Sequence, residues 1–245
     1  MKLLIDAGNT RIKWALADGL AWPHSGVLPV EQAGELPHQL AGLEGVSQVW
    51  VSNVAGETTA RHIRNACIPT AQMHFVAAQR VQCGVHNGYG TPSQLGSDRW
   101  AALIAAWDLI RGTCLVVNSG TATTVDALSD TGEFIGGLIL PGMELMQHSL
   151  RDAAVQLQAA PQAEPAQGRY APFPQNTDDA LYSGALQASC GAIERQHALL
   201  GDNGAPVVLS GGAAAALQDR LNVPLRFVDN LVLQGLWLIS QETSA

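Results

Sequence analysis

The first apolar and polar positions of the chain define its opening element. Leu3, Leu4 and Ile5 lead into Asp6, a tight polar turn follows, and Ile12, Trp14 and Leu16 then alternate with Arg11, Lys13 and Ala15. Apolar runs on either side of a Gly-Asn turn predict a β-hairpin whose second arm is half buried. Gly8 gives the backbone access to positive φ or to close contact with a ligand, so the N–H groups of the turn could face phosphate oxygens. Asp6 closes a buried strand, a position from which a carboxylate can hold Mg²⁺ directly or through water. Asp, Gly and Asn are also the commonest turn residues, so this stretch alone reads first as a plain hairpin.

The pattern recurs half a chain later. LVVNSGTATTVDAL, from Leu115 to Leu128, aligns with the hairpin without a gap, placing Asn118 opposite Asp6, Gly120 opposite Gly8 and Thr121 opposite Asn9. Two such units predict a duplicated domain with two turns facing each other across a cleft. A third signal, VVLSGGAAAAL from Val207 to Leu217, reads as strand, Gly-Gly turn and helix. In order, the three resemble the two phosphate loops and the adenosine loop of the acetate and sugar kinase/Hsp70/actin superfamily. That resemblance implies an α/β fold: two duplicated ribonuclease H-like domains, each a mixed sheet with flanking helices, with a cleft between them, as in the actin-like ATPases. The first domain would span 1–112 and the second 113–245.

Between these landmarks, 18–37 reads as turns around short strands, 48–53 as a strand, 57–67 as an amphipathic helix and 73–77 as a strand. The stretch from Gln82 to Gly96 is long enough for a functional loop. A helix then opens at Gly96-Ser97-Asp98-Arg99, carries Trp100, Leu103, Ile104, Trp107 and Ile110 on one face, and stops at Gly112. Further on come a strand over 132–139, a helix from Pro141-Gly142 to about 157, and a proline-rich loop over 159–175. Asn176-Thr177-Asp178-Asp179 caps a long helix to about 200, and a last strand (225–228) and helix (230–240) close the chain. The long helix carries Gly184, Ala185, Ala188 and Ala192 at helical spacing, which would let another backbone approach closely.

Composition narrows the function. Only 14% of residues are charged against 47% hydrophobic, a ratio that predicts much buried surface, including a subunit interface. Net charge is −8 and no basic run occurs, which argues against a nucleic-acid partner. The four cysteines are scattered without a C-x-x-C pair and read as buried free thiols. The seven histidines show no ligand spacing. No stretch before Asp6 reads as a signal peptide and no apolar run reaches membrane-span length, so a cytoplasmic protein is expected. G-x-x-x-x-G-K-[ST] is absent, which excludes a P-loop kinase by pattern.

Asp98 stands at a helix start beside a Gly-rich loop. It reads either as a first-turn acid complementing the helix dipole or as a general base with Arg99 binding an anionic group. Tyr89 is a loop-packing or ligand-facing aromatic, and Thr177 is an N-cap or a site residue.

The set IDAGNTRIKWAL, NGYG, GSDRWAALIAA, GTATTVDAL with GEFIGGLILPG, and NTDDALYSG closely resembles the type III pantothenate kinases, in the right order over essentially the whole chain. The resemblance implies ATP-dependent phosphorylation of the primary hydroxyl of pantothenate, the first step towards coenzyme A. By position it assigns Asp6, Ala7, Gly8, Asn9, Thr10, Arg11, Ile12 and Lys13 to the ATP phosphates and magnesium, and Thr121 to ATP from the second turn. Tyr89, Gly96, Ser97, Asp98 and Arg99 would surround pantothenate, with Asp98 the catalytic base, and Thr177 would reach the substrate across a homodimer interface. Many members carry Asp at the position of Asn118, where it is associated with a monovalent cation such as K⁺ or NH₄⁺; neutral Asn puts that site in doubt. The rival readings are a superfamily phosphotransferase with another substrate and a catalytically silent relative acting as a regulator or binding module.

Overall fold

The computed structural model describes residues 1–19, 21–67, 71–153 and 168–242. By internal contacts the chain falls into two compact units. One is Met1–Gly112 with Leu128–Ile135 and Asn230–Ala245; the other is Thr113–Ala127 with Gly136–Asp229.

In the first unit the opening hairpin forms as predicted. β1 (Lys2–Ala7) and β2 (Arg11–Asp18) pair antiparallel, with Ile5 opposite Trp14 and Asp6 opposite Lys13. With β3 (Ala21–Pro29), β4 (Gln48–Asn53) and β5 (Gln72–Phe75) they make a sheet in the order β3-β2-β1-β4-β5, in which β4 runs parallel to both β1 and β5. One face carries Leu3, Ile5, Ile12 and Trp14 into a core with Leu36 of the short α1 (Leu36–Gln39) and Ile63 of α2 (Gly56–Ala66). Leu4, between Leu3 and Ile5, is also fully buried, so β1 is covered on both faces. Double burial is why its sequence reads as a continuous apolar run rather than an alternation.

Two local expectations are corrected here. The stretch 18–37 contains a nine-residue edge strand rather than short strands among turns. Most of β3 is exposed, so no apolar alternation announces it. Its place is set by backbone pairing with β2 and by Gly26, where a Cβ would lie 2.7 Å from the Trp14 ring opposite. The loop 82–96 also holds structure: β6 (Val81–Gln82) and β7 (Val85–Asn87) form a small hairpin closed by Cys83 (φ 51°) and Gly84 (φ 79°). Two successive left-handed residues are what a two-residue hairpin turn requires.

A 3₁₀ turn at Pro92–Gln94 then leads into α3 (Ser97–Ile110). This helix ends on Arg111 in the left-handed conformation (φ 50°), one residue before the expected Gly112 stop. Against it packs α7 (Leu231–Glu242), where a Cβ on Gly235 would lie 1.9 Å from the Ala101 carbonyl oxygen. That backbone-to-backbone approach is why Asn230–Ala245 groups with the first unit, although the sequence expectation placed 113–245 together.

The second unit contains β8 (Cys114–Ser119), β9 (Ala122–Leu128), β10 (Glu133–Pro141), β11 (Val207–Ser210) and β12 (Leu225–Phe227) in the order β10-β9-β8-β11-β12. This repeats the order of the first sheet strand for strand, the mark of the duplication read from the aligned hairpins. Helices α4 (Met143–Ala153), α5 (Thr177–Leu200) and α6 (Ala214–Gln218) flank it. The opening residues of β10, Glu133 and Phe134, belong to the first unit and pair with His86 and Asn87 of β7. Residues 168–175 are irregular, as predicted; the expected extension of α4 to 157 and the loop over 159–167 lie outside the described residues. No helix among the described residues is long and apolar enough to cross a membrane.

Candidate active site

The first unit gathers most of the predicted site residues at the carboxyl ends of β1 and β4. Asp6 lies opposite Lys13 on one side and Ser52 on the other. Ser52 and Ser97 are both buried and their hydroxyl oxygens are 2.9 Å apart, which ties the end of β4 to the first turn of α3. Asp98 follows in that turn, with its Oδ1 accepting the Arg99 N–H at 2.8 Å. Gly96 caps the helix without a side chain, and a Cβ there would lie 2.6 Å from that same Asp98 oxygen.

Burial, the nearby negative charge of Asp98 and, in the opposite sense, Lys13 act together on Asp6 and push its carboxyl from the ordinary 3.8 up to about 7. Two acids are therefore close together with too little positive charge to keep both ionised at no cost. Among the described residues no cluster of three or more His, Cys, Asp or Glu side chains forms a metal cage. Mg²⁺ does not need one, since it commonly binds one or two carboxylates plus water and phosphate oxygens. An acid pair short of positive charge fits that mode of binding.

Arg99 is 7% exposed and its Nη1 donates to the Tyr89 hydroxyl at 3.2 Å. The guanidinium also sits 5.9 Å from the Tyr89 ring and 5.7 Å from that of Phe134, and the two rings meet at 5.2 Å. Asp6, Lys13, Ser97, Asp98, Arg99 and Tyr89 thus belong to one unit, as do Ala7 to Ile12. Asn9, Thr10 and Arg11 are exposed at the tip of the first turn, which Gly8 closes by donating to the Arg11 carbonyl at 3.0 Å. Gly8 does not take positive φ, one of the two uses its sequence allowed, and a Cβ there would make an ordinary 3.5 Å contact with the Arg11 carbonyl oxygen, which leaves close approach to a ligand as the other.

In the second unit, Asn118 is the penultimate residue of β8, opposite Ser210 of β11, and Thr121 stands in the turn before β9. The turn is tightly enclosed. Gly142 donates to the Thr121 carbonyl at 2.8 Å, and a Cβ on Gly142 would lie 2.0 Å from the Gly120 oxygen. Gly211 (φ 103°) likewise has no room for a Cβ beside the Ser119 carbonyl, while the Ser119 and Thr123 hydroxyls share a buried hydrogen bond of 3.0 Å.

Thr177 is elsewhere in this unit. It is the first residue of α5 and not its cap: Asn176 caps the helix by accepting the Asp179 N–H at 2.9 Å. Thr177 lines a largely apolar groove of about 860 Å³ between α4 and α5, with Met146, Leu150, Leu181 and Gly184 among its walls. Neither Asn118 nor Thr121 lines it.

The four cysteines are unpaired, as expected, and burial raises each thiol, to about 11 for Cys67 and Cys190 and about 12 for Cys83 and Cys114. None is a nucleophile at neutral pH. Sequence reasoning missed Ser52 and Phe134. A serine following the apolar run Val49-Trp50-Val51 was the available signal for Ser52. Phe134 had none, because its partners are some forty residues away in the chain.

The family model for type III pantothenate kinase matches residues 2–198. Type III pantothenate kinase of Nitrosospira multiformis is 48% identical, with 99% of this chain and 92% of the relative aligned, and that of Aromatoleum aromaticum is 45% identical over the whole of both chains. Among solved structures, a conserved Baf family protein from Campylobacter jejuni superposes with a TM-score of 0.63 at 22% identity, covering 99% of this chain and 98% of its own. MreB 5 of Spiroplasma citri bound to AMPPNP gives 0.51 at 11%, covering 99% and 96%. These structural likenesses place the fold among the actin-like ATPases.

The Asp6 carboxyl supplies a test. Its pKa is higher folded than unfolded, so the native state binds the proton more tightly and its stability falls as pH rises from about 4 to about 7. Without divalent metal, Asp6→Asn is expected to be more stable than the natural protein at pH 8, by about 2–4 kcal/mol, and no more stable at pH 4. Thermal melts across that range check it; a stability difference independent of pH would contradict the shifted carboxyl.

Proposed function

The chain belongs to the type III pantothenate kinase family, and we propose that Asp6 and Asp98 divide its phosphoryl transfer between them. The protein is a kinase that phosphorylates pantothenate, a step of coenzyme A biosynthesis. The observation that carries the division of roles is the closeness of Asp98, in the first turn of α3, to Asp6, with Arg99 bonded to Tyr89 alongside.

In the reaction, the primary hydroxyl oxygen of pantothenate bonds to the γ-phosphorus of ATP. The bond from that phosphorus to the β–γ bridging oxygen breaks, and ADP leaves with the electron pair. Asp98 takes the hydroxyl proton. Its Oδ1 is already held by the Arg99 N–H, so the carboxylate has one orientation to offer. Arg99 carries a fixed positive charge in a buried, aromatic-walled position, suited to the carboxylate of pantothenate. Gly96 and Ser97 bring backbone close to the same ligand, and Tyr89 closes its edge.

Residues 6–13 are assigned to the ATP phosphates, with Asp6 holding Mg²⁺ and Lys13 adding positive charge; Thr121 is assigned to ATP from the second turn. Bound Mg²⁺ would neutralise phosphate charge and offset the Asp6–Asp98 repulsion. Asn118 offers a carbonyl oxygen but no charge to a monovalent cation, so dependence on potassium or ammonium is weaker than with Asp at this position. The active form is a homodimer that buries the α4/α5 groove and brings Thr177 to the partner's substrate. The apolar groove supports this, as does the open space over Gly184, where a Cβ would meet nothing within 4 Å.

Three measurements test these assignments. Asp98→Asn should retain ATP binding and fold while kcat falls about 10²–10⁴-fold; near-normal turnover would return Asp98 to a helix-start acid. Light scattering should give twice the chain mass at assay concentration, and Gly184→Trp should give monomers with poor pantothenate affinity; a fully active monomer would refute the dimer. In a potassium titration of kcat at fixed ionic strength, the natural protein should respond weakly and Asn118→Asp strongly. A strong requirement unchanged by the substitution would remove Asn118 from the cation site.

A further inference from the structure

We propose that Arg80 is a positioning residue for the substrate, its guanidinium clamping the Tyr89 loop in the shape that meets Arg99. Arg80 is exposed and lies between β5 and β6, outside every motif recognised in the sequence. Its Nη1 donates to the carbonyl oxygens of Asn87 at 3.2 Å and Tyr89 at 3.0 Å, and its Nη2 to that of Gly90 at 3.2 Å. Its own carbonyl accepts the Asn87 N–H at 2.9 Å. One residue therefore holds the loop at four points.

The loop needs such a hold. Tyr89 is flanked by Gly88 and Gly90, the two neighbours that leave a backbone most freedom to lose. Three carbonyl oxygens converging on one place repel each other unless a cation lies between them. A guanidinium holds its donors in a rigid planar fork spread over two terminal nitrogens, whereas an ammonium has its three donors on one nitrogen at the end of a flexible stem. The rest of the loop is held from the opposite quarter. Buried Asn87 accepts the Tyr89 N–H at 3.0 Å and donates to the Pro92 carbonyl at 3.2 Å, and Gly88 donates to the Phe134 carbonyl at 3.1 Å. With Arg80 in place the Tyr89 hydroxyl is set to accept from Arg99 before any substrate arrives. Without it, ordering the loop becomes part of the cost of binding, and the loss falls on substrate affinity.

This inference rests on the reading of Tyr89 as a pantothenate-facing residue, so the test carries a variant for each. In the full chain, Arg80→Ala should raise KM for pantothenate about 10-fold, with KM for ATP changed by less than about twofold. Arg80→Lys should fall between Arg80→Ala and the natural protein. Amide exchange should quicken over residues 87–90 while the melting temperature stays close to that of the natural protein, because the side chain is exposed. Tyr89→Ala is the reference. If it raises KM for pantothenate and Arg80→Ala does not, the clamp is overturned and the site reading stands. If neither variant moves KM for pantothenate, the site reading fails and the clamp with it. A uniform loss of both affinities together with a large fall in melting temperature would make Arg80 a merely structural residue and also overturn the proposal.

Discussion

Two carboxylates held close together in partly dry surroundings repel, and much of the first unit is arranged around that repulsion. Asp6 cannot move away because β1 is covered on both faces and paired on both edges. Asp98 cannot move because Ser97, its neighbour in the chain, is bonded to Ser52 on the strand beside Asp6. Lys13, opposite Asp6 across the hairpin, supplies part of the balancing charge. The remaining deficit is an affinity for positive charge stored in the resting protein. That is the charge which the proposed metal site at Asp6 would supply.

Legibility followed burial and periodicity. The hairpin from Leu3 to Leu16 and the strand 48–53 announced themselves through their apolar positions, and the long helix from Thr177 through the capping residues that open it. The duplication was readable from the aligned turns, and the matching strand orders bear it out. β3 was hidden because an exposed edge strand is specified by its partner's backbone rather than by its own side chains. The cap of α5 was assigned too broadly: adjacent Asn and Thr both cap well, and only geometry separates Asn176 from Thr177. For the site, the resemblance supplied residue types and order, including Asp98 and Arg99. It could not supply Ser52 or Phe134, whose roles exist only through contacts made after folding.

Around the second turn the specificity of the sequence lies in what is missing. Gly142 and Gly211 let two separate chain segments press their backbones onto residues 119–121 with no side chain intervening. Backbone contact leaves no rotamers to adjust on these two sides of the turn that carries Thr121. Substitution at either glycine would displace the turn as a whole rather than weaken one contact.

The grouping of α7 with the first unit bears on how the protein is made. A ribosome delivers β1 to α3 first, yet the surface of α3 around Ala101 is covered by Gly235 and its neighbours, which are made after every strand and helix of the second unit. In the interval the second unit has all of its own strands and helices from 113 to 229 outside the tunnel, while the first waits with an apolar helix face bare. The later unit in the sequence is therefore the first that can finish folding. Until α7 is made, the face of α3 that it covers stays open to solvent.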